Sequence, residues 1–145
     1  MSALEITQTD GIITGYLHTF TVTAVNGRGE GAHSDPISIY AATISTVPTN
    51  VRRLTADGSY VSLEWDDPAD NGGIAILDYE VYWDLGASND VYSLIAASTS
   101  NTKSYSHSDD IITGAHYRFK VIAINIIGSS DFSESALVIA ATEAG

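Results

Sequence analysis

Seven short stretches between Val51 and Ala141 are rich in apolar side chains, and most of them alternate apolar with polar residues in the period of a β-strand. They are VRRLTA (51–56), YVSLEWD (60–66), LDYEVYWD (77–84), VYSLIAA (91–97), TKSYSH (102–107), AHYRFKVIAIN (115–125) and FSESALVIAA (132–141). Val, Ile, Tyr, Trp and Thr recur in them, side chains that suit a pleated, half-buried surface. Between them lie turn formers: DGS (57–59), DDPADNGG (66–73), LGASND (85–90), SDD (108–110) and IGSSD (127–131). Seven strands at this spacing predict an all-β fold, an antiparallel sandwich of two sheets.

The preceding residues repeat the end of that pattern. Residues 5–43 laid over 104–142 at a constant offset of 99 agree at 14 of 39 positions without a gap. The identities include Asp10/Asp109, Gly15/Gly114, Phe20/Phe119, Val22/Val121, Asn26/Asn125 and Ser34/Ser133. A period of about 100 residues is the size of a whole small domain, not of a solenoid unit. Residues 1–43 therefore read as the C-terminal part of one module, with about three strands near 3–7, 16–26 and 36–42. Residues 44–47 then read as a linker and 48–142 as a complete module, and ATEAG (141–145) as the lead into another.

Three features carry a family resemblance: Trp65 at the end of the second strand, the loop and strand DDPADNGGIAILDYEVYW (66–83), and IITGAHYRFKVIAINIIGSSDFS (111–133). Together they resemble the fibronectin type III family, the last being similar to its L-x-P-G-x-x-Y-x-F-x-V-x-A-x-N-x-x-G-x-S signature. The resemblance implies a seven-stranded immunoglobulin-like sandwich in which Tyr117 is the corner tyrosine, followed by Phe119, Val121, Ala123, Asn125 and Gly128. Two positions depart from it. Thr113 replaces the corner proline, and His18 stands in the first copy where the tyrosine belongs, which predicts a less well-fixed corner there.

Strand alternation puts Tyr117, Phe119, Val121 and Ala123 on one face. Opposite them belong Val61, Leu63 and Trp65 of the second predicted strand and Tyr79, Val81 and Trp83 of the third. Each such side chain, fully buried, contributes about 1.5–3 kcal/mol, so a dozen support a domain without cross-links. In the partial module, Phe20, Val22 and Ala24 face a core whose other sheet is missing. An exposed apolar face of that kind predicts fraying or self-association through residues 1–43.

Charge narrows the partners. Asp and Glu number 18 against 6 Lys and Arg, a formal net charge of -12. Nucleic acid is excluded, because phosphate binding needs clustered cations. The absence of cysteine excludes disulfides, thiolate zinc sites and cysteine nucleophiles. The longest apolar runs, VIAINII (121–127) and ALVIAA (136–141), fall far short of the ~20 residues a membrane helix needs, so no membrane insertion is expected.

No constellation of catalytic residues emerges. His18, His33, His107 and His116 show no metal-binding spacing on a helix, and there is no nucleophile elbow, phosphate loop or dinucleotide fingerprint. NGRGEG (26–31) reads as a hairpin loop. The family resemblance puts an adhesion tripeptide at that place in some members, but here Glu30 follows Arg28-Gly29 instead of aspartate. DDPADN (66–71) offers oxygen ligands of the kind calcium takes, without the spacing of an EF-hand loop. No metal and no cofactor is predicted. The outward face of the third and sixth strands sets Asp78, Glu80, Tyr82 and Asp84 beside His116, Arg118, Lys120, Ile122 and Ile124. Cross-strand charge pairs are expected there. Tyr82, Ile122 and Ile124 are the candidate protein contact, against the simpler reading of β-propensity or cover from a nearby loop.

The expected function is that of a non-catalytic structural and protein-interaction module, a spacer or adhesion unit of a tandem array, extracellular or at a cell surface. Its partners would be a protein or neighbouring modules of its own chain. The alternatives are an accessory linker domain of a carbohydrate-active or other multidomain enzyme, and a cytoplasmic scaffold module of the cytoskeleton.

Overall fold

The computed structural model describes residues 6–142. The chain divides into two compact units, Met1–Ala42 and Thr43–Gly145. In the first, β1 (Leu17–Phe20) pairs antiparallel with β4 (Ile37–Tyr40), from Leu17↔Tyr40 to Phe20↔Ile37. Between them β2 (Val25–Asn26) and β3 (Gly29–Glu30) form a tight hairpin. The strand expected over 16–26 is thus interrupted, and 36–42 contracts to 37–40. The strand expected near 3–7 lies mostly outside the described residues; Ile6 and Thr7 belong to no strand.

The second unit holds β5 (Thr49–Ala56), β6 (Val61–Asp66), β7 (Asp78–Trp83), β8 (Ser93–Ala96), β9 (Ser104–His107), β10 (His116–Ile124) and β11 (Ala136–Ile139). All pairings are antiparallel. One sheet has the order β5-β6-β9 and the other β11-β10-β7-β8. Their inner faces enclose a single core in which Val61, Leu63, Trp65, Tyr79, Val81, Tyr117, Phe119, Val121 and Val138 are buried, as alternation requires. Trp83 stacks on Tyr117 and Phe119 at centroid distances of 5.4 and 6.1 Å, while Trp65 meets Tyr79 edge-on at 5.5 Å.

β10 is the axis of the larger sheet, pairing with β11 over His116–Phe119 and with β7 over Phe119–Ile124. Beyond Phe119 its β11 side is closed by serines. The Val121 and Ala123 amides donate to Ser133 Oγ (2.8 Å) and Ser130 Oγ (3.0 Å), and the Ser133 and Ser130 amides return bonds to the Val121 and Ala123 carbonyls. The first unit repeats this device in part: Val22 N donates to Ser34 Oγ at 2.9 Å and Ser34 N to the Val22 carbonyl at 2.8 Å. A neighbour like β7 is absent there among the described residues, so the stretch 21–24 joins no ladder and the strand breaks. The register repeats too, since Leu17↔Tyr40 and Phe20↔Ile37 lie one period before His116↔Ile139 and Phe119↔Ala136.

The corners differ in the atom they use. Tyr117 Oη accepts the Ile112 amide at 2.9 Å. His18, expected to leave its corner loose, takes over the same bond: its Nε2 stands 3.2 Å from the amide of Ile13, the counterpart of Ile112. A neutral imidazole nitrogen is an acceptor, so the corner survives the substitution in one tautomer. What the first unit lacks is cover. Val22 is 65 % exposed where Val121 is fully buried, and Ile39 is 53 % exposed where Val138 is fully buried. Among the described residues the closed core lies in 43–142, while in the first unit the core-facing Val22 and Ile39 meet solvent.

Candidate functional site

The outer face of the β7–β10 pair carries the predicted contact residues. Ladder register sets Lys120 opposite Tyr82, Ile122 opposite Glu80 and Ile124 opposite Asp78. Tyr82 is half-buried; its hydroxyl donates to Glu80 Oε2 at 2.7 Å, and that carboxylate, with burial second, raises the phenol's pKa. Phe132 meets the Tyr82 ring edge-on at 4.9 Å, and Tyr92 lies 6.2 Å from Phe132. Lys120 Nζ sits over Tyr92 at 4.4 Å and over Phe132 at 5.5 Å. Ile124 is half-buried, whereas Ile122 is only 9 % exposed. The open apolar surface on this face thus belongs less to Ile122 than to Phe132, which is 42 % exposed. Sequence reasoning passed over Phe132 and Tyr92 because both flank turns; the signal present was an aromatic residue beside the Ser130 and Ser133 steps.

Of the expected cross-strand charge pairs one forms, the Arg118 guanidinium standing 3.7 Å from the Asp84 carboxylate, whereas Lys120 finds no acid among the described residues. Lys120 pairs with rings, and Asp84 turns inward, only 2 % exposed. The reason is local. The strand ends at Trp83, and the Asp84 carboxylate then accepts the amides of Gly86 (2.9 Å), Ser88 (3.3 Å) and Arg118 (3.1 Å), with the Arg118 guanidinium 3.7 Å away. Asp84 organises the β7–β8 loop instead of facing solvent.

A second cluster lies where the chain runs into the module. Residues 44–47, expected to be linker, belong to the second compact unit. Thr43 N donates to the Gly72 carbonyl and Thr46 N to the Asp70 carbonyl, both at 2.9 Å. Asp70 N in turn donates to Thr46 Oγ1 at 3.0 Å. Buried Asn125 closes the clamp, its Nδ2 donating to the carbonyls of Thr43 (2.8 Å) and Asn71 (3.0 Å) while Oδ1 accepts the Ile127 amide. Gly72 has φ +84°, and a Cβ there would stand 2.1 Å from the Thr43 oxygen, so only glycine admits this approach. Asn125 thus does two things, holding its own turn through Oδ1 and the incoming chain through Nδ2.

The acidic run 66–71 is committed to protein partners. Asp66 accepts from Asn50 and Arg52, and Asp67 from Lys103 (3.1 Å) and Tyr79 Oη (2.9 Å). Asp70 and Asn71 hold the Gly72 and Gly73 amides. Those bonds lower Asp66 and Asp67, through Asn50 first for the former and Lys103 first for the latter; burial, then Asp67, raises Tyr79. No group of three or more His, Asp or Glu poised for a metal occurs among the described residues. The most perturbed carboxylate is Asp78. Burial works to raise it, but bonds from Ser98 Oγ and from the Asn101, Tyr79 and Thr99 amides prevail and hold it at about 2. It ties the β8–β9 loop to the start of β7, a structural task. Glu30 of the β2–β3 hairpin accepts from Thr23 Oγ1 at 2.9 Å, so its carboxylate folds back onto the segment that leads into β2.

Three strands packed on four and closed by a tyrosine corner define an immunoglobulin-like β-sandwich module. The chain belongs to the fibronectin type III family, whose domain profile matches residues 46–139. It is 32 % identical over 127 residues to the striated-muscle M-protein of Gallus gallus, covering 81 % of this chain and 8 % of that protein. It is 26 % identical over 133 residues to ephrin type-B receptor 4b of Danio rerio, covering 88 % of this chain and 13 % of that protein. A crystal structure of titin domains shares the fold at a TM-score of 0.65 and 24 % identity, over 85 % of this chain and 40 % of that one. The chain thus spans about a tenth of the length of these curated relatives. It is a structural or interaction module of the kind built into multidomain proteins. The relatives include a muscle protein and a receptor, and no helix among the described residues is long and apolar enough to cross a membrane.

Proposed function

We propose that the chain is a non-catalytic spacing and protein-contact unit of a longer tandem series, with residues 1–43 the C-terminal part of one module and 48–142 the next. The offset of 99 residues, kept in both strand register and serine bonds, supports the division. The observation that carries the spacer role is the clamp on residues 43–46. A free linker of four residues lets a module swing; one bonded to the loops at 70–72 and 125 delivers the chain in a set direction. Protein contact falls to the outer face, with Tyr82 and Phe132 at the surface, Ile124 at the margin and Ile122 beneath.

Asn125→Ala tests the clamp. Amide exchange at Thr43 and Thr46 should be slow in the native chain and rise at least about tenfold in the variant, while β6 and β10 keep their protection. Fast exchange at both threonines in the native chain would remove the basis for a spacer.

A further inference from the structure

Asparagine is followed by glycine twice, at Asn26-Gly27 and Asn71-Gly72; both side-chain oxygens accept the amide two residues on, from Arg28 and Gly73, but the glycine amides in between are held differently. Asparagine before glycine is chemically labile, because a backbone nitrogen with no Cβ beside it reaches the asparagine Cγ unhindered. Asn26 and Gly27 are both exposed at the tip of the β2–β3 hairpin, and a Cβ on Gly27 would meet nothing within 4 Å. No acceptor holds the Gly27 amide among the described residues. At the other step the attacking amide is occupied, since Gly72 N donates to Asp70 Oδ1 at 2.8 Å. The flanking carbonyls are pinned as well, that of Asn71 by Asn125 Nδ2 and that of Gly72 by Thr43 N. The third asparagine of interest, Asn125, is Asn26 one period later; it is buried and is followed by the β-branched Ile126.

We propose that Asn26 is a site of spontaneous deamidation and that Asn71 is held inert by the clamp around Gly72. The Gly27 nitrogen gives its proton to solvent base and bonds to Asn26 Cγ; ammonia leaves, closing a five-membered imide. Water then opens either carbonyl, producing aspartate or isoaspartate at position 26. Asparagine and water go in, and the acidic residue and ammonia come out, with no other reactant. The product adds a negative charge to a chain already at -12. In its isoaspartyl form it also inserts a methylene into the backbone, which the two-residue hairpin pairing Asn26↔Gly29 cannot absorb in register. The exposed Arg28-Gly29-Glu30 turn is thereby re-shaped with age, while the module that carries the core is left intact.

The intact chain, incubated at body temperature and mildly alkaline pH, tests this by peptide mapping with mass spectrometry and chromatographic separation of the two isomers. Position 26 should gain about one dalton at least about tenfold faster than position 71. In denaturing urea the two should convert at similar rates, since both then precede a free glycine. Asp70→Ala should speed conversion at position 71; if that variant fails to fold, Asn125→Ala, which frees the Asn71 carbonyl, should do the same. Equal rates in the native chain would overturn the proposal. So would an unchanged position 26 after the denatured chain has converted, or an Asn71 indifferent to both variants.

Discussion

His18 and Tyr117 occupy the same place in the repeat and hold the backbone amide five residues earlier, one by an imidazole nitrogen and the other by a hydroxyl. The hydroxyl has no competing role, and its ring is buried against Trp83. Tyr117→Phe keeps that stacking and orphans the Ile112 amide, so it should cost about 1–2 kcal/mol in urea denaturation of the second unit. A change within experimental error would mean that the corner bond is dispensable. Asp78 makes a prediction about pH. Its folded value of about 2 lies below the ~3.9 of an unfolded aspartate, so its contribution is complete above the unfolded value and is lost as pH falls through the folded one. Asp78→Asn should therefore destabilise the chain at neutral pH, and the gap between native and variant should close between about pH 4 and about pH 2. Urea midpoints measured across that range check it; a gap independent of pH contradicts it. The core was readable residue by residue, since Trp65, Tyr79, Val81, Tyr117, Phe119 and Val121 are buried where alternation put them. Asp84 was not, because alternation assumes the strand continues, and the chain turns at that residue to spend the carboxylate on three amides.

At the level of elements, the seven strands of the second unit followed from period-two runs and turn residues, with ends moved by a few positions. What hid from the sequence was polar and long-range. Thr46 and Asp70 lie 24 residues apart and Asn125 and Thr43 lie 82 apart, and no periodicity announces a bond between loops. The same holds for the cover on the outer face, where Phe132 reaches Tyr82 from a segment outside any strand. The most exacting element is the 70–72 turn. Gly72→Ala places a Cβ on the Thr43 oxygen and a side chain at positive φ, which should cost at least about 1–3 kcal/mol. Its thermal midpoint should fall, and the Thr43 amide should lose protection before the β-strands do. A variant as stable as the native chain would show that the close approach is relaxed in solution.

For the molecule as a whole, the central claim is an asymmetry. Residues 43–142 enclose a core between two sheets, whereas the first unit repeats the strand register and corner of the second with no opposing sheet among its described residues. Burial, more than hydrogen bonding, separates the two, because the first unit keeps bonds equivalent to Ser133–Val121 and Tyr117–Ile112. Native-state amide exchange on the intact chain reads this directly. Amides of Leu63, Val81 and Val121 should exchange only through global unfolding of the second unit. Those of Phe20 and Ile39 should exchange at least about a hundredfold faster, through local opening. Equal protection in the two units would contradict the account, because it would require a closed core around β1 and β4.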